Sequence, residues 1–225
     1  MNKNTQESNL NDDLGVISSY NTQMTNNNNS NTTSNVNNTT NNNSSNSNQK
    51  VILVGIVSKG SIEKNNVFML GPDNNCEFKK VCVKAIHCKK IEVKKAFQGQ
   101  YCTLEVDVKE NEVRKGMVLI DISTKPTASK VIEANIWNIS DKDIKLVGDK
   151  TQFVISSGHV RQTAFVKAIQ EEGVESKEEI IIKPEETKTL TIEFLYNPEY
   201  IQKGSHLLIL ENSFKCYGVV TKLIK

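Results

Sequence analysis

From Val51 onward the apolar side chains fall into short, β-branched runs separated by turn residues, and almost no stretch shows the three-to-four spacing of an amphipathic helix. The alternation predicts strands over 51–58, 67–70, 78–90, 100–108 and 117–122. The segment 78–90 is long enough to bend or to divide into two strands. Lys59-Gly60 and Gly71-Pro72-Asp73 read as turns, because proline presets φ and glycine and aspartate tolerate unusual values. A composition shift over 123–129, containing Pro126, marks a linker. Beyond it further strands are expected over 131–139, 151–156, 160–169, 187–195, 205–210 and 217–224, with a short one over 180–182 inside an acidic connection. The expected fold is all-β: two antiparallel β-barrels, over 50–125 and 128–225.

The first 49 residues follow a different pattern. From Asn21 to Asn48 the chain is asparagine, serine and threonine, broken only by Gln23, Met24 and Val36. So little apolar surface cannot offset the roughly 1–2 kcal/mol per residue lost on ordering a backbone, so 1–49 is expected to be a disordered leader. The apolar patch at 14–17 follows Asp12 and Asp13, unlike a secretory signal, and no run approaches the length of a membrane helix. Asn31-Thr32-Thr33 is a formal glycosylation acceptor that has no meaning without secretion. A cytoplasmic monomer with no membrane partner is expected.

Candidate chemistry narrows the picture chiefly by what it leaves out. Cys76, Cys82, Cys88, Cys102 and Cys216 are odd in number and hold no Cys-x-x-Cys pair, so they read as small apolar fillers rather than a disulfide framework or a zinc site. His87, His159 and His206 lack metal-ligand spacing, and no motif sets one beside a nucleophile. No Gly-x-x-x-x-Gly-Lys-Ser/Thr loop is present to wrap phosphates, and no Asn-Lys-x-Asp segment to read guanine. Asp12-Asp13-Leu14-Gly15 matches Asp-x-x-Gly formally, but in the leader and without a preceding strand. The chain is expected to be no enzyme and to bind no metal or cofactor of its own.

The net charge is +2, and the leader carries −2 of it, which leaves +4 on the remainder. That is too mild to imply nucleic-acid binding by itself, so its distribution matters. Lys79, Lys80, Lys84, Lys89, Lys90, Lys94 and Lys95 stand against only Glu77 and Glu92. On one rim of a barrel they would neutralise RNA phosphates; equally, lysines solvate strand edges and discourage aggregation. Arg161, with Gln162 and Thr163, offers a planar donor fork suited to phosphate, or to a structural ion pair. Trp137 is expected in a core or between the barrels rather than as a base-stacking platform. Gly55, Gly60, Gly71, Gly99, Gly116, Gly158 and Gly218 are read as turn residues.

Leu70-Gly71-Pro72-Asp73, Val83-Lys84-Ala85-Ile86-His87, Gly99-Gln100 and Arg114-Lys115-Gly116-Met117-Val118 occur in the order of the elongation-factor-Tu-like second domain. Ser157-Gly158-His159-Val160-Arg161-Gln162-Thr163, Asn197-Pro198-Glu199-Tyr200 and Gly218-Val219-Val220-Thr221-Lys222 follow the third. The chain thus resembles domains two and three of the GTP-binding protein 1 and 2 family of translational GTPases, across nearly all of 51–225. Asn65-Asn66 stands where the family often has a turn glycine, and Leu210-Glu211-Asn212-Ser213 replaces a stretch usually carrying two arginines.

The resemblance implies binding rather than chemistry, to ribosome, to tRNA, or to a GTPase domain in cis or trans. GTP and magnesium would enter only through a missing or separate GTPase domain. The RNA-binding residues expected on this reading are Lys84, His87, Lys89, Lys90, Lys94, Arg161, Gln162 and Thr163. The chain reads as the C-terminal barrels of such a GTPase, in translation or mRNA surveillance. A stand-alone interaction module, which the initiator methionine and long leader favour, and a structural remnant, favoured by the missing arginines, stay open beside it.

Overall fold

A computed structural model describes residues 50–167, 170–171, 174–175 and 179–224, so the leader expected to be disordered lies outside the described residues. The first half runs β1 (Val51–Ile56), β2 (Ser61–Glu63), β3 (Val67–Gly71), β4 (Lys79–Cys88), β5 (Ile91–Val93), β6 (Lys95–Phe97), β7 (Tyr101–Val106) and β8 (Val118–Asp121). Its main sheet has the order β1-β7-β4-β3-β8, with β5 added beside β4. It is a curled half-barrel, and the β2–β6 pair stands beside it as a separate ladder. Alternation, broken once by a bulge in β4, builds the core. Cys102, Leu104 and Val106 of β7 point inward with Val51 and Leu53 of β1, Phe68 and Leu70 of β3, and Val81, Val83 and Ile86 of β4.

β4 is one bent strand. Val83 faces Val106 and Ala85 faces Glu105, so Lys84 is the extra residue of a β-bulge. The bulge turns Lys84 outward toward Asp107, 3.4 Å away. Asn65 takes the left-handed conformation, φ 71°, that its place at a glycine-like turn position requires.

The second half contributes β9 (Val131–Asn138), β10 (Ile144–Val147), β11 (Gln152–Ser157), β12 (Val160–Val166), β13 (Gln170–Glu171), β14 (Val174–Glu175), β15 (Glu179–Ile182), β16 (Thr187–Phe194), β17 (His206–Leu210) and β18 (Lys215–Ile224). Six of these, β11-β12-β16-β9-β18-β17, close into a barrel. These are the six principal strands legible in the alternation. β15 is the short strand expected inside the acidic connection; its partner β10 was not expected, and Ile144, Leu146 and Ile182 of this pair join the second core. β10 is only four residues long and sits among charged residues, so its pattern is weak.

Some expectations are corrected. Trp137 is neither core nor inter-barrel packing: it is 43% exposed on the outer face of β9, because Ile136 and Asn138 on either side point in. Gly60, Gly99, Gly116 and Gly158 do adopt positive φ. Gly55 and Gly218, however, lie within β1 and β18, and Gly71 ends β3, so these are strand positions. At Gly218 the reason is a close approach: a Cβ would lie 2.5 Å from Ile136 Cδ1 and 2.9 Å from the Asn135 carbonyl oxygen.

β8 joins the two halves. Leu119 faces the first core, while Val118 and Ile120 turn the other way and pack with Tyr200 and Phe78. A strand buried on both faces has no polar alternation, which is why 117–120 reads as a continuous apolar run before Asp121.

Candidate nucleic-acid interface

The expected RNA-binding residues fall into two sets on different barrels. Lys84, His87, Lys89, Lys90 and Lys94 belong to β4, to its turn into β5, and to the residue after β5. Arg161, Gln162 and Thr163 are on β12 of the second barrel.

The first set is organised by a hairpin. Cys88 pairs with Ile91, so Lys89 and Lys90 alone form the turn. Both take the left-handed conformation, φ 52° and 68°. That is the two-residue turn normally made by Asn-Gly or Asp-Gly, since a side chain at positive φ costs roughly 1–2 kcal/mol. Two lysines there hold local strain, a feature that concentrates at functional sites. Both are exposed. Of the lysine cluster, Lys79 pairs with Glu112 at 2.7 Å, Lys84 with Asp107 at 3.4 Å and Lys95 with Glu63 at 2.6 Å. Lys80, Lys89, Lys90 and Lys94 make no ion pair among the described residues.

Apolar rings lie at the same end of the barrel. Tyr101, 60% exposed, is one register step past the Cys102–Cys88 pair and faces the half-exposed Ile56 across the β1–β7 ladder. Phe97, 54% exposed, opens the turn that leads into Tyr101, and Lys95 Nζ lies 5.4 Å from its ring centroid. His87 stands half-buried on the outer face between Thr103 and Glu92. Tyr101 and Phe97 carry no charge or motif, so sequence reading missed them. The available signal was an aromatic residue on each side of Gln98-Gly99-Gln100.

In the second set Arg161 is exposed and makes no ion pair among the described residues, and Thr163 is half-buried. Gln162 is turned inward. Its Oε1 accepts from the backbone N–H groups of Tyr196 and Asn197 at 2.9 and 2.7 Å, and its Nε2 donates to Glu199 Oε1 at 2.7 Å and to the Asn197 carbonyl at 3.0 Å.

Glu199 is the centre of a buried cluster between the barrels. Arg114, from the loop before β8, donates to the Pro198 carbonyl at 2.5 Å and approaches Glu199 Oε1 at 3.4 Å. The Glu199 backbone exchanges both hydrogen bonds with Ser129, at 3.0 and 3.1 Å. Tyr200 stacks on His159 and meets Phe78 of the first barrel edge-on. Burial raises the Glu199 carboxyl to about 7, against the opposing pull of Arg114 and Gln162. Burial likewise lowers His159 to about 4. The segments 114–118, 157–163 and 197–200, far apart in the chain, thus meet in one place. The barrels are held against each other there, and Lys89 and Lys90 of the hairpin are exposed among the described residues.

Two barrels arranged this way match the second and third domains of translation factors. A solved structure of Sup35 complexed with GDP superimposes with a TM-score of 0.60 at 17% identity, covering 77% of this chain and 44% of that one. No family model matches the chain. GTP-binding protein 1 of Xenopus laevis is 27% identical over 175 residues, which are 77% of this chain and 25% of that protein. GTP-binding protein 2 of Mus musculus and of Homo sapiens is in each case 29% identical over 171 residues, 76% of this chain and 27% of theirs. The chain therefore spans about a quarter of the length of the curated relatives it matches. The resemblance to the GTP-binding protein 1 and 2 family, read from its motifs, is borne out.

No helix among the described residues is long and apolar enough to cross a membrane, and no group of His, Cys, Asp and Glu among them could hold a metal ion.

Proposed function

We propose that this chain is the barrel part of a GTP-binding-protein-1-like translation factor, and that it binds RNA of the ribosome or tRNA through the β4–β5 hairpin without hydrolysing GTP itself. The observation that carries this reading is the Lys89-Lys90 turn. It holds two cations that make no ion pair among the described residues in a conformation that Asn-Gly would adopt at lower cost, beside exposed Tyr101 and Phe97. Lysines neutralise phosphates, and aromatic faces stack on unpaired bases, so the combination suits a single-stranded or looped RNA segment. A lysine-only surface would serve solubility equally well; a strained turn flanked by exposed rings would not.

The sequence supports the non-catalytic half of the proposal, since it offers neither a phosphate-wrapping loop nor a guanine-reading segment. Nucleotide chemistry then belongs to a GTPase domain that acts with these barrels in cis or in trans. Arg161, exposed on the second barrel, is a further contact to phosphate on this reading.

Titration of purified ribosomes and tRNA at increasing salt tests the RNA role. Binding that weakens with salt, with a slope reduced by about 2 when both hairpin lysines are replaced, supports it. Absence of binding even at low salt overturns it.

A further inference from the structure

Cys88 and Cys102 face each other directly across β4 and β7. Their pairing is of the closer, non-hydrogen-bonded kind, and two independent observations fix this. Val57 donates its N–H to the Gln100 carbonyl, one step beyond the Ile56–Tyr101 pair, so the residues of β7 that bond to β1 are Cys102 and Leu104, in step with Gln100 just before the strand. The backbone of Cys102 is therefore directed at β1 and away from β4. On the other strand, the two-residue turn at Lys89-Lys90 is closed by the Cys88–Ile91 pair, which directs the Cys88 backbone at β5.

At such a position Cα atoms are about 4.5 Å apart and side chains approach most closely, within the Cα range that a disulfide spans. Both thiols lie on the same face. Cys102 is buried in the first core, and Cys88 is half-buried against that core. On its other flank Cys102 faces Gly55, which has no side chain, so Cys88 is its cross-strand neighbour.

From this geometry we infer that Cys88 and Cys102 form a redox-active dithiol that a peroxide closes to a disulfide across the β4–β7 ladder. The Cys88 thiolate attacks the peroxide, giving Cys88 sulfenic acid and hydroxide. The Cys102 sulfur then displaces the hydroxyl, the S–S bond forms, and the thiol proton leaves with that hydroxyl as water. The thiols lose two electrons and the peroxide gains them. The order follows from exposure: Cys88 meets the oxidant first, whereas burial, with the neighbouring Cys88, pushes Cys102 up to about 11 and keeps it a thiol until an electrophilic sulfur is beside it. Cys76, Cys82 and Cys216 have no such partner opposite them.

This site adjoins the proposed RNA contacts, since Cys88 closes the Lys89-Lys90 turn and Cys102 follows Tyr101, but its test reads cysteine oxidation alone and does not depend on RNA binding. The full native chain would be treated with limited hydrogen peroxide, quenched by alkylation, digested without reduction and mapped by mass spectrometry. The expected result is loss of the Cys88 and Cys102 thiols together and a linked peptide joining them. In Cys102→Ala, Cys88 is expected to stop at the sulfenic acid and react with a sulfenic-acid probe. In Cys88→Ser, Cys102 is expected to stay reduced. Oxidation of Cys88 in the unsubstituted chain with Cys102 still free, or linkage to any other cysteine, would overturn the inference.

Discussion

Arg114 Nη1 lies 3.4 Å from Glu199 Oε1 in a contact that joins the loop before β8 to the second barrel, with the two side chains only 17% and 4% exposed. The guanidinium also reaches the Pro198 carbonyl, so one residue of the first half holds two consecutive residues of the second.

Breaking this pair from one side should be costly, because it leaves the Glu199 carboxyl and the Pro198 carbonyl without their guanidinium donor in a dry interface. Arg114→Ala is expected to lower stability by about 3–5 kcal/mol, measured by urea denaturation. Replacing both partners by apolar residues, Arg114→Met with Glu199→Leu, should cost clearly less than Arg114→Ala alone. A double variant as unstable as the single one would show that the charges themselves, rather than their mutual satisfaction, hold the barrels together.

Two groups of this cluster respond to pH with opposite signs. Glu199, raised to about 7, takes up a proton on folding, so its contribution weakens as pH rises from about 4.5 to about 7. His159, lowered to about 4, releases one on folding, so its contribution strengthens as pH rises from about 4 to about 6.5. Between these limits the two nearly offset each other. Glu199→Gln should therefore steepen the gain of stability with pH over 4.5–6.5 relative to the unsubstituted chain, and His159→Asn should turn it toward a loss. Denaturation midpoints across that range measure both. Unchanged profiles in both variants would mean that neither group titrates with folding.

The hairpin predicts a trade between stability and binding. Lys89→Asn with Lys90→Gly relieves positive φ at both positions and should stabilise the protein by about 1–2 kcal/mol in thermal or chemical denaturation. The same variant should bind RNA roughly tenfold more weakly at moderate salt. A variant that is more stable and binds equally well would leave the lysines with no role in recognition.

Gly218 allows β18 and β9 to approach closely. Gly218→Ala places a methyl group against Ile136 Cδ1 and the Asn135 carbonyl oxygen, and overpacking of this kind costs about 1–3 kcal/mol. Trp137→Ala, one residue along β9 but facing water, should cost far less, within about 0.5 kcal/mol for a surface site away from special features. Equal losses in the two variants would contradict the placement of Trp137 on the outer face.

Much of this protein was legible along the chain. The period-two runs gave the six strands of the second barrel, and the continuous apolar run at 117–120 corresponds to a strand buried on both sides. The ordered motifs pointed to the family. Each of these is a local signal, set by the side-chain period of a strand or by residues a few positions apart. The hairpin at Lys89-Lys90 escaped because its turn residues are not those that favour positive φ; a strained turn looks like part of a strand when only composition is read. Trp137 was misplaced because apolarity alone does not fix a face; its neighbours' register does. The meeting of Arg114, Gln162 and Glu199, and of Cys88 with Cys102, was decided by strand pairing and barrel packing across gaps in the chain that no local period encodes. Sequence by itself determined which segments become strands and which face of each is apolar, because those follow from neighbours in the chain. Only the tertiary structure decided which polar groups share a buried space, because that depends on which strands lie side by side and how two barrels press together.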